Sequence, residues 1–403
     1  MLMFNAHVKV LNSSMVNAEM KKVKVSKEGI EIMHPKTQFF IIKLEHVPIK
    51  DSIILKQESL SCGCDTALAW NIVSLKGEFT DALVFGSGKE LELLISKLKK
   101  QPFNGKKIAE EIERAIYNFK KTEYQISTSS SVLKAPPRKV IGILNITPDS
   151  FSDGSKYIDP ARAIERAKEI EREGADIIDI GAESTRPYSE PVSLEEEMRR
   201  LIPVVEVIKE TIKIPISIDT YKWQVAEKCL KIGVDLVNDV YGLNDENMIK
   251  VIKDYNAGIV IMHMKGTPKT MQNEPVYDDL ISEIYYFLNE RARNAVSKGI
   301  EENKIIVDPG IGFGKTTAHN LSILNSLQDF KSLGYPILIG TSNKGFIGKI
   351  TGKPVEERMI GNLATALIAL QNGASLIRAH NVKDTKEIIN IYESVIGEKN
   401  NEK

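Results

Sequence analysis

The sequence predicts a (β/α)8 (TIM) barrel behind a small α+β region, and three observations lead there. From residue 139 onward, short β-branched runs alternate with longer charged, amphipathic stretches, as strands joined by helical crossovers do. The strand-like runs number eight, each nearly continuous in hydrophobicity, as strands of a parallel sheet covered on both faces require. The span of about 260 residues from 139 to 398 suits one closed barrel, typically ~250 residues. An open doubly wound sheet is the alternative, and the count of eight favours the barrel.

The eight runs are VIGILNI (140–146), DIIDI (176–180), IPISI (214–218), DLVND (235–239), GIVIMH (258–263), KIIVD (304–308), PILIG (336–340) and ASLIR (374–378). Helical patterns fill the intervals, for example 160–173, 195–209, 278–297 and 383–396. Before the barrel, residues 1–121 read as an α+β domain of unknown role. It carries extended-looking runs at 38–44, 52–55 and 82–85 and helical patterns at 89–100 and 105–121. Residues 122–138, TEYQISTSSSVLKAPPR, combine a Ser/Thr run with Pro-Pro and read as a linker. Residues 399–403 are a polar tail.

Composition excludes several classes. Hydrophobic residues make up 42% and charged residues 27%, an ordinary soluble balance. Lys+Arg and Asp+Glu are 54 each, which argues against a nucleic-acid partner. Three cysteines, Cys62, Cys64 and Cys229, cannot build a disulfide framework and fit a reducing cytoplasm. No apolar run approaches the ~20 residues that span a bilayer, and the N-terminus lacks the pattern of a signal peptide. A cytoplasmic protein acting on small molecules is expected, with no membrane partner and with a homodimer left open.

In a (β/α)8 barrel the chemistry gathers where strands end. Here the strand ends carry Asn145, Asp179, Asp219, Asn238 with Asp239, His263, Asp308, Ser342-Asn343-Lys344, and Arg378 with His380. One such Asp is usually a helix N-cap, and one such His is usually structural. Repetition around one rim points instead to a polar ligand site. The stretch DPGIGFGKTT (308–317) resembles a phosphate loop, but Pro309 stands where a Walker A motif needs Gly. Its glycine spacing is not that of a dinucleotide fingerprint either. In the front region, Cys62 and Cys64 with His7, His34 and His46 lack zinc-site spacing, and Gly86-Ser87-Gly88-Lys89 is equally weak as a phosphate loop.

Residues 139–398 resemble the dihydropteroate synthases, within the wider pterin-binding barrel family. The resemblance is carried, in order, by ILNITPDSFSDGS (143–155), AESTRP (182–187), SIDT (217–220), VNDV (237–240), MHMKGTPKTMQ (262–272), DPGIGFGK (308–315), GTSNKGFIG (340–348) and RAHNV (378–382). It implies condensation of 6-hydroxymethyl-7,8-dihydropterin pyrophosphate with p-aminobenzoate in folate biosynthesis. It also implies a role for each residue. Asp308, Asn238, Asp219 and Lys344 would hold the pterin. Asp219, Lys344 and Asn145 would carry catalysis. Asn145, Arg378 and His380 would hold the pyrophosphate, with Mg2+ on Asn145. Thr185, Arg186, Pro187, Phe313 and Ser342 would form the arylamine pocket, and residues 147–154 a closing loop.

Three positions depart from the family pattern. Tyr188 replaces the usual Gly, Asn343 the usual Arg, and Asn381 the usual Asp. The loss of a cation at 343 predicts weaker attraction for p-aminobenzoate, which Asn343→Arg would restore. Two alternatives stay open: the same chemistry with a modified arylamine, and a pterin-dependent methyltransferase. A barrel that binds pterin without catalysis is disfavoured by the intact polar set.

Overall fold

The computed structural model describes residues 9–11, 15–75, 77–146, 160–184, 189–271 and 274–397. The chain divides into two compact units, one reaching Tyr117 and the other starting at Asn118.

The second unit is the barrel. Its strands are β6 (Lys139–Asn145), β7 (Ile177–Gly181), β8 (Ile216–Asp219), β9 (Leu236–Asp239), β10 (Gly258–Met262), β11 (Ile305–Asp308), β12 (Leu338–Ile339) and β13 (Leu376–Ala379). They pair in the order β11-β10-β9-β8-β7-β6-β13-β12, in parallel throughout. A parallel bridge between Val307 and Ile337 joins the two ends and closes the cylinder. All eight expected runs are strands. Several of the helices between them begin on side-chain caps: Ser193 accepts from Glu196 N ahead of α7 (Leu194–Thr211), and Asp279 from Ser282 N ahead of α10 (Leu280–Ser297). Each cap satisfies an amide that the first turn leaves open.

Because strand side chains alternate, each strand sends one set of residues to the helices and the other inward. Ile178, Ile180, Ile216, Ile218 and Val237 join the large core under the helices. Ile141, Ile177, Leu236, Val260, Ile306, Leu338 and Leu376 form a separate interior cluster. One inward step further on stand Asp179, Asn238, Asp308 and Arg378, so the polar rim is built directly on an apolar floor.

Residues 122–138 are not a simple linker. They contain an antiparallel hairpin, β4 (Tyr124–Ser127) and β5 (Val132–Ala135), with Tyr124 opposite Ala135. Its Ile126 and Ala135 are buried in the interior cluster. Asp235 ties it down: Ser129 N donates to Asp235 O at 3.3 Å, and Ser130 Oγ donates to the Asp235 carboxylate. The Ser/Thr run that suggested a linker supplies these donors. A chain begun at Leu133 would lack β4, so any clean separation of the two regions lies upstream of Tyr124.

The first unit has a three-stranded antiparallel sheet in the order β1-β3-β2, from β1 (Phe39–Pro48), β2 (Asp65–Leu68) and β3 (Phe79–Ser87). Helix α3 (Ile49–Cys62) lies between β1 and β2, and helices α4 (Gly88–Leu98) and α5 (Gly105–Lys120) follow β3. Residues 52–55, expected to be extended, lie inside α3. Ser52, Leu55, Ser59 and Cys62 are all buried, a helical spacing that a four-residue apolar window hides. Cys62 and Cys64 belong to the apolar core with Leu55, Val84 and Leu91. Ser87 caps α4 in a capping box with Glu90, so the Gly-Ser-Gly-Lys stretch is a helix start. No helix among the described residues is long and apolar enough to cross a membrane.

Replacing the plug residue tests the hairpin's role. Ile126→Ala should lower barrel stability by about 2–5 kcal/mol, the usual cost of truncating a buried aliphatic side chain. Urea unfolding is the measurement; an unchanged midpoint would reduce the hairpin to an ornament.

Candidate active site

The rim gathers Asp179, Asp219, Asn238, Asp308, Lys344 and Arg378. Register explains why neighbouring strands present their groups together: Asn145 pairs with Gly181, Gly181 with Asp219, and Asp219 with Asn238. The same four positions thus sit level around one side of the cylinder.

Arg378 lies between two carboxylates. Its Nε donates to Asp179 Oδ2 at 2.7 Å and its Nη2 to Asp219 Oδ2 at 2.8 Å. Asn238 Nδ2 also donates to Asp179 Oδ2, at 3.3 Å. That bond fixes the amide, so Asn238 Oδ1 faces elsewhere. Among the described residues, Asn238 Oδ1 and Asp179 Oδ1 are buried acceptors without a partner. An unmet buried acceptor costs about 1–3 kcal/mol, so these two oxygens are open to a hydrogen-bond donor. Asp179 stood among the polar strand ends in the sequence but was given no substrate role. Its signal was available, because it lies one inward step above Ile177 as Asp308 lies above Ile306.

Burial dominates the electrostatics. It raises the Asp219 pKa, against the opposing pull of Arg378. Burial also pushes Asp308 up to about 6, although Gly310 N donates to its Oδ1 at 2.7 Å. Lys344 is pushed down to about 8 by burial and by Arg378. Its Nζ sits 4.0 Å from the centroid of the Phe313 ring, a cation–π contact. Phe313 packs with Val240, Met262 and Met271, and Tyr221 and Tyr241 lie against them. A polar cup with one apolar wall results, suited to a flat heterocycle with a donor edge.

The glycine-rich stretch is a turn, not a phosphate cradle. Gly310 and Gly314 have φ of +72° and +64°. A Cβ on Gly310 would lie 1.9 Å from His263 O, and one on Gly314 would lie 2.3 Å from Lys265 O. Only glycine permits so close an approach. His263 is buried, and burial with the Lys315 and Lys265 charges pushes its pKa far down, so its ring is neutral.

At the other side of the rim, Ser342 Oγ and His380 Nδ1 are 2.9 Å apart, and His380 N donates to Ser342 Oγ at 3.3 Å. These two residues, expected at different substrates, are in direct contact. Asn145 is half-buried at the end of β6. Thr185, Arg186, Pro187, Tyr188 and the loop 147–154 lie outside the described residues.

The reading of Asn343 needs correction. Its φ is +61°, a left-handed backbone that Asn tolerates better than most residues. Asn362 Nδ2 donates to its Oδ1 and its own N donates to Asn362 Oδ1, both at 2.9 Å. Arg358 Nη1 donates to Asn343 O at 3.3 Å, so a guanidinium already stands beside this turn. Asn343 shapes the turn and is not a missing cation. Asn381 precedes the last helix with no side-chain cap bond; only its backbone carbonyl accepts, from Thr385 N at 3.1 Å and Thr385 Oγ1 at 2.7 Å, so nothing here explains Asn at this position.

The fold and this cup define a barrel enzyme that binds a pterin-like ring. Residues 141–380 match the family model described as pterin binding enzyme. The dihydropteroate synthase of Haemophilus influenzae is 40% identical over 256 residues, 64% of this chain and 93% of that protein. A Helicobacter pylori protein, bifunctional dihydropteroate synthase/dihydropteroate reductase, is 35% identical over 395 residues, 96% of this chain and 98% of that one. The Xanthomonas albilineans dihydropteroate synthase structure with 4-aminobenzoic acid is similar at a TM-score of 0.65 and 38% identity, over 68% of this chain and 99% of that one. The chain belongs to the pterin binding enzymes, in their dihydropteroate synthase branch.

Two substitutions separate structure from substrate contact. Asp179→Ala, which removes one partner of a partly buried cation, should destabilise the barrel by about 3–5 kcal/mol in thermal or urea unfolding. Asn343→Ala should cost about 1–2 kcal/mol for the left-handed backbone and leave the KM for p-aminobenzoate within twofold. A large KM rise in a stable Asn343→Ala variant would return this residue to the substrate pocket.

Proposed function

We propose that this enzyme is a transferase that condenses 6-hydroxymethyl-7,8-dihydropterin pyrophosphate with p-aminobenzoate, giving 7,8-dihydropteroate and pyrophosphate. The observation that carries it is the buried acceptor set of Asp308, Asn238 and Asp179 in one layer of the barrel. A pterin edge offers an amino group and a ring N–H side by side. Asp308 accepts both in a charge-assisted fork, and Asn238 Oδ1 accepts from the remainder of the edge. Lys344 donates to the pterin carbonyl and ring nitrogen.

In the reaction the arylamine lone pair attacks the exocyclic methylene carbon. The carbon–oxygen bond breaks, its electron pair leaves with pyrophosphate, and the new ammonium loses a proton. Asp219 stabilises positive charge that develops on the pterin. Arg378, Asn145 and His380 hold the leaving group, which requires Arg378 to share its donors with Asp179 and Asp219. Phe313 and Ser342, with Thr185, Arg186 and Pro187, form the arylamine side.

Mg2+ fits as an ion held largely by the substrate. Among the described residues no group of three His, Cys, Asp or Glu side chains is placed to hold a metal. Asn145 offers one neutral oxygen, and Mg2+ commonly binds through one or two protein ligands plus phosphate oxygens and water. When bound, it would neutralise charge on the pyrophosphate.

A second activity is supported by the reach of the Helicobacter match, which includes nearly the whole first unit, whereas the synthase of Haemophilus influenzae spans 64% of the chain. The first unit would then serve reduction of the dihydropterin product, a hydride going to carbon and a proton to nitrogen from an external two-electron donor. The cytoplasm as location and a homodimer as assembly complete the proposal. Exposed Ile360, Ile368, Ile391 and Val395 supply apolar surface for pairing.

Purified protein should release pyrophosphate when given the pterin pyrophosphate, Mg2+ and p-aminobenzoate, and chelation should stop it. Offering extended arylamines in parallel identifies the preferred acceptor; pterin binding without pyrophosphate release from any of them would refute the condensation. Adding NADPH or reduced flavin to dihydropteroate tests the reductase, and no donor oxidation would confine the enzyme to condensation. Asp308→Asn should weaken pterin binding by about 1.5–3 kcal/mol, the worth of a hydrogen bond to a charged group. With the ionised form as the fork, wild-type affinity should fall as pH drops through about 6, readable by calorimetry.

A further inference from the structure

Lys315 heads the largest fully buried side chains, at 2% exposure, and no step above uses it. Its Nζ donates to His263 Nδ1 at 2.9 Å, to Phe313 O at 3.0 Å and to His263 O at 3.4 Å. Three ammonium protons thus meet three acceptors, all neutral. Burying a cation on neutral acceptors is costly, and a methionine would fill the same space without that cost. The position of the charge is what sets it apart.

The three bonds span the site. His263 follows β10, and its N donates to Asp308 O at 2.9 Å. Phe313 carries the ring beneath Lys344. Gly310 and Gly314 press the intervening turn against His263 and Lys265. Lys315 therefore fastens both ends of the turn that begins at Asp308. The charged groups facing Asp308 are Lys344, Lys315 and Arg378. Those facing Lys315 are Asp308, Lys344 and Lys265, with the neutral His263 in contact.

We propose that Lys315 is a positioning residue of the pterin site: its buried ammonium, fastened to His263 and Phe313, holds the 309–314 turn closed and sets a positive charge behind the Asp308 carboxylate. Burial pushes Lys315 down to about 7 and Asp308 up to about 6, and each charge opposes the other's shift. The inference rests on Asp308 as the pterin fork. Lys315 acts through Asp308 and Phe313 and touches no substrate.

The test compares wild type, Lys315→Met, Lys315→Arg and Asp308→Asn in the full chain, with 6-hydroxymethylpterin binding followed by calorimetry from pH 5 to pH 8. Loss of the cation should move the acid limb of binding upward by about half a pH unit or more. The affinities should converge near pH 8, and the KM for p-aminobenzoate should rise several-fold as Phe313 loosens. Lys315→Arg should return the limb toward its wild-type position. If Lys315→Met fails to fold, Lys315→Gln, which keeps a donor for Phe313 O, carries the same expectation. A folded neutral variant with an unshifted limb would overturn the proposal and leave Lys315 as packing alone. Unchanged pterin affinity in Asp308→Asn would instead remove the pterin reading on which it rests.

Discussion

The rim depends on one guanidinium placed between two buried carboxylates. Asp179 and Asp219 are both buried in the cylinder, and a buried charge needs a partner of opposite sign. Arg378 meets both through separate nitrogens. Asp179 in turn fixes the Asn238 amide, which leaves an acceptor facing the cavity. Orientation of the groups proposed to read the pterin thus follows from hydrogen bonds within the rim, with no ligand needed to impose it.

Much of this was legible in the residues. Eight β-branched runs gave eight strands, because strands covered on both faces leave a short hydrophobic signature that helices of this length do not share. The same alternation put Asp308 and Arg378 on the inner face. The hairpin at 124–135 was not legible, since two four-residue strands with only Tyr124, Ile126 and Ala135 buried do not stand out from a polar loop. Helix α3 was misread in part because its buried face includes Ser52 and Ser59, which carry no hydrophobic signal.

Site residues divide in the same way. Asn238 and Asp308 could be named because their strand and step were clear. Asn343 could not be judged from its type, because its duty follows from a left-handed backbone and from Asn362, nineteen positions away. Lys315 was hidden for a related reason. A lysine after a glycine-rich turn suggests phosphate, and only the three-dimensional path shows its amine turned inward to His263.

The sealed floor has a kinetic meaning. With the strand side chains of the interior cluster filling the cylinder, and Ile126 and Ala135 packed among them, the barrel is closed below its polar layer. A ligand resting on the deep layer of Asp308 and Asn238 must arrive before anything that covers it and leave after the cover has gone. For the substrates proposed above, traffic would be last-in, first-out, an ordering imposed by the packed interior of the barrel on the side opposite the chemistry.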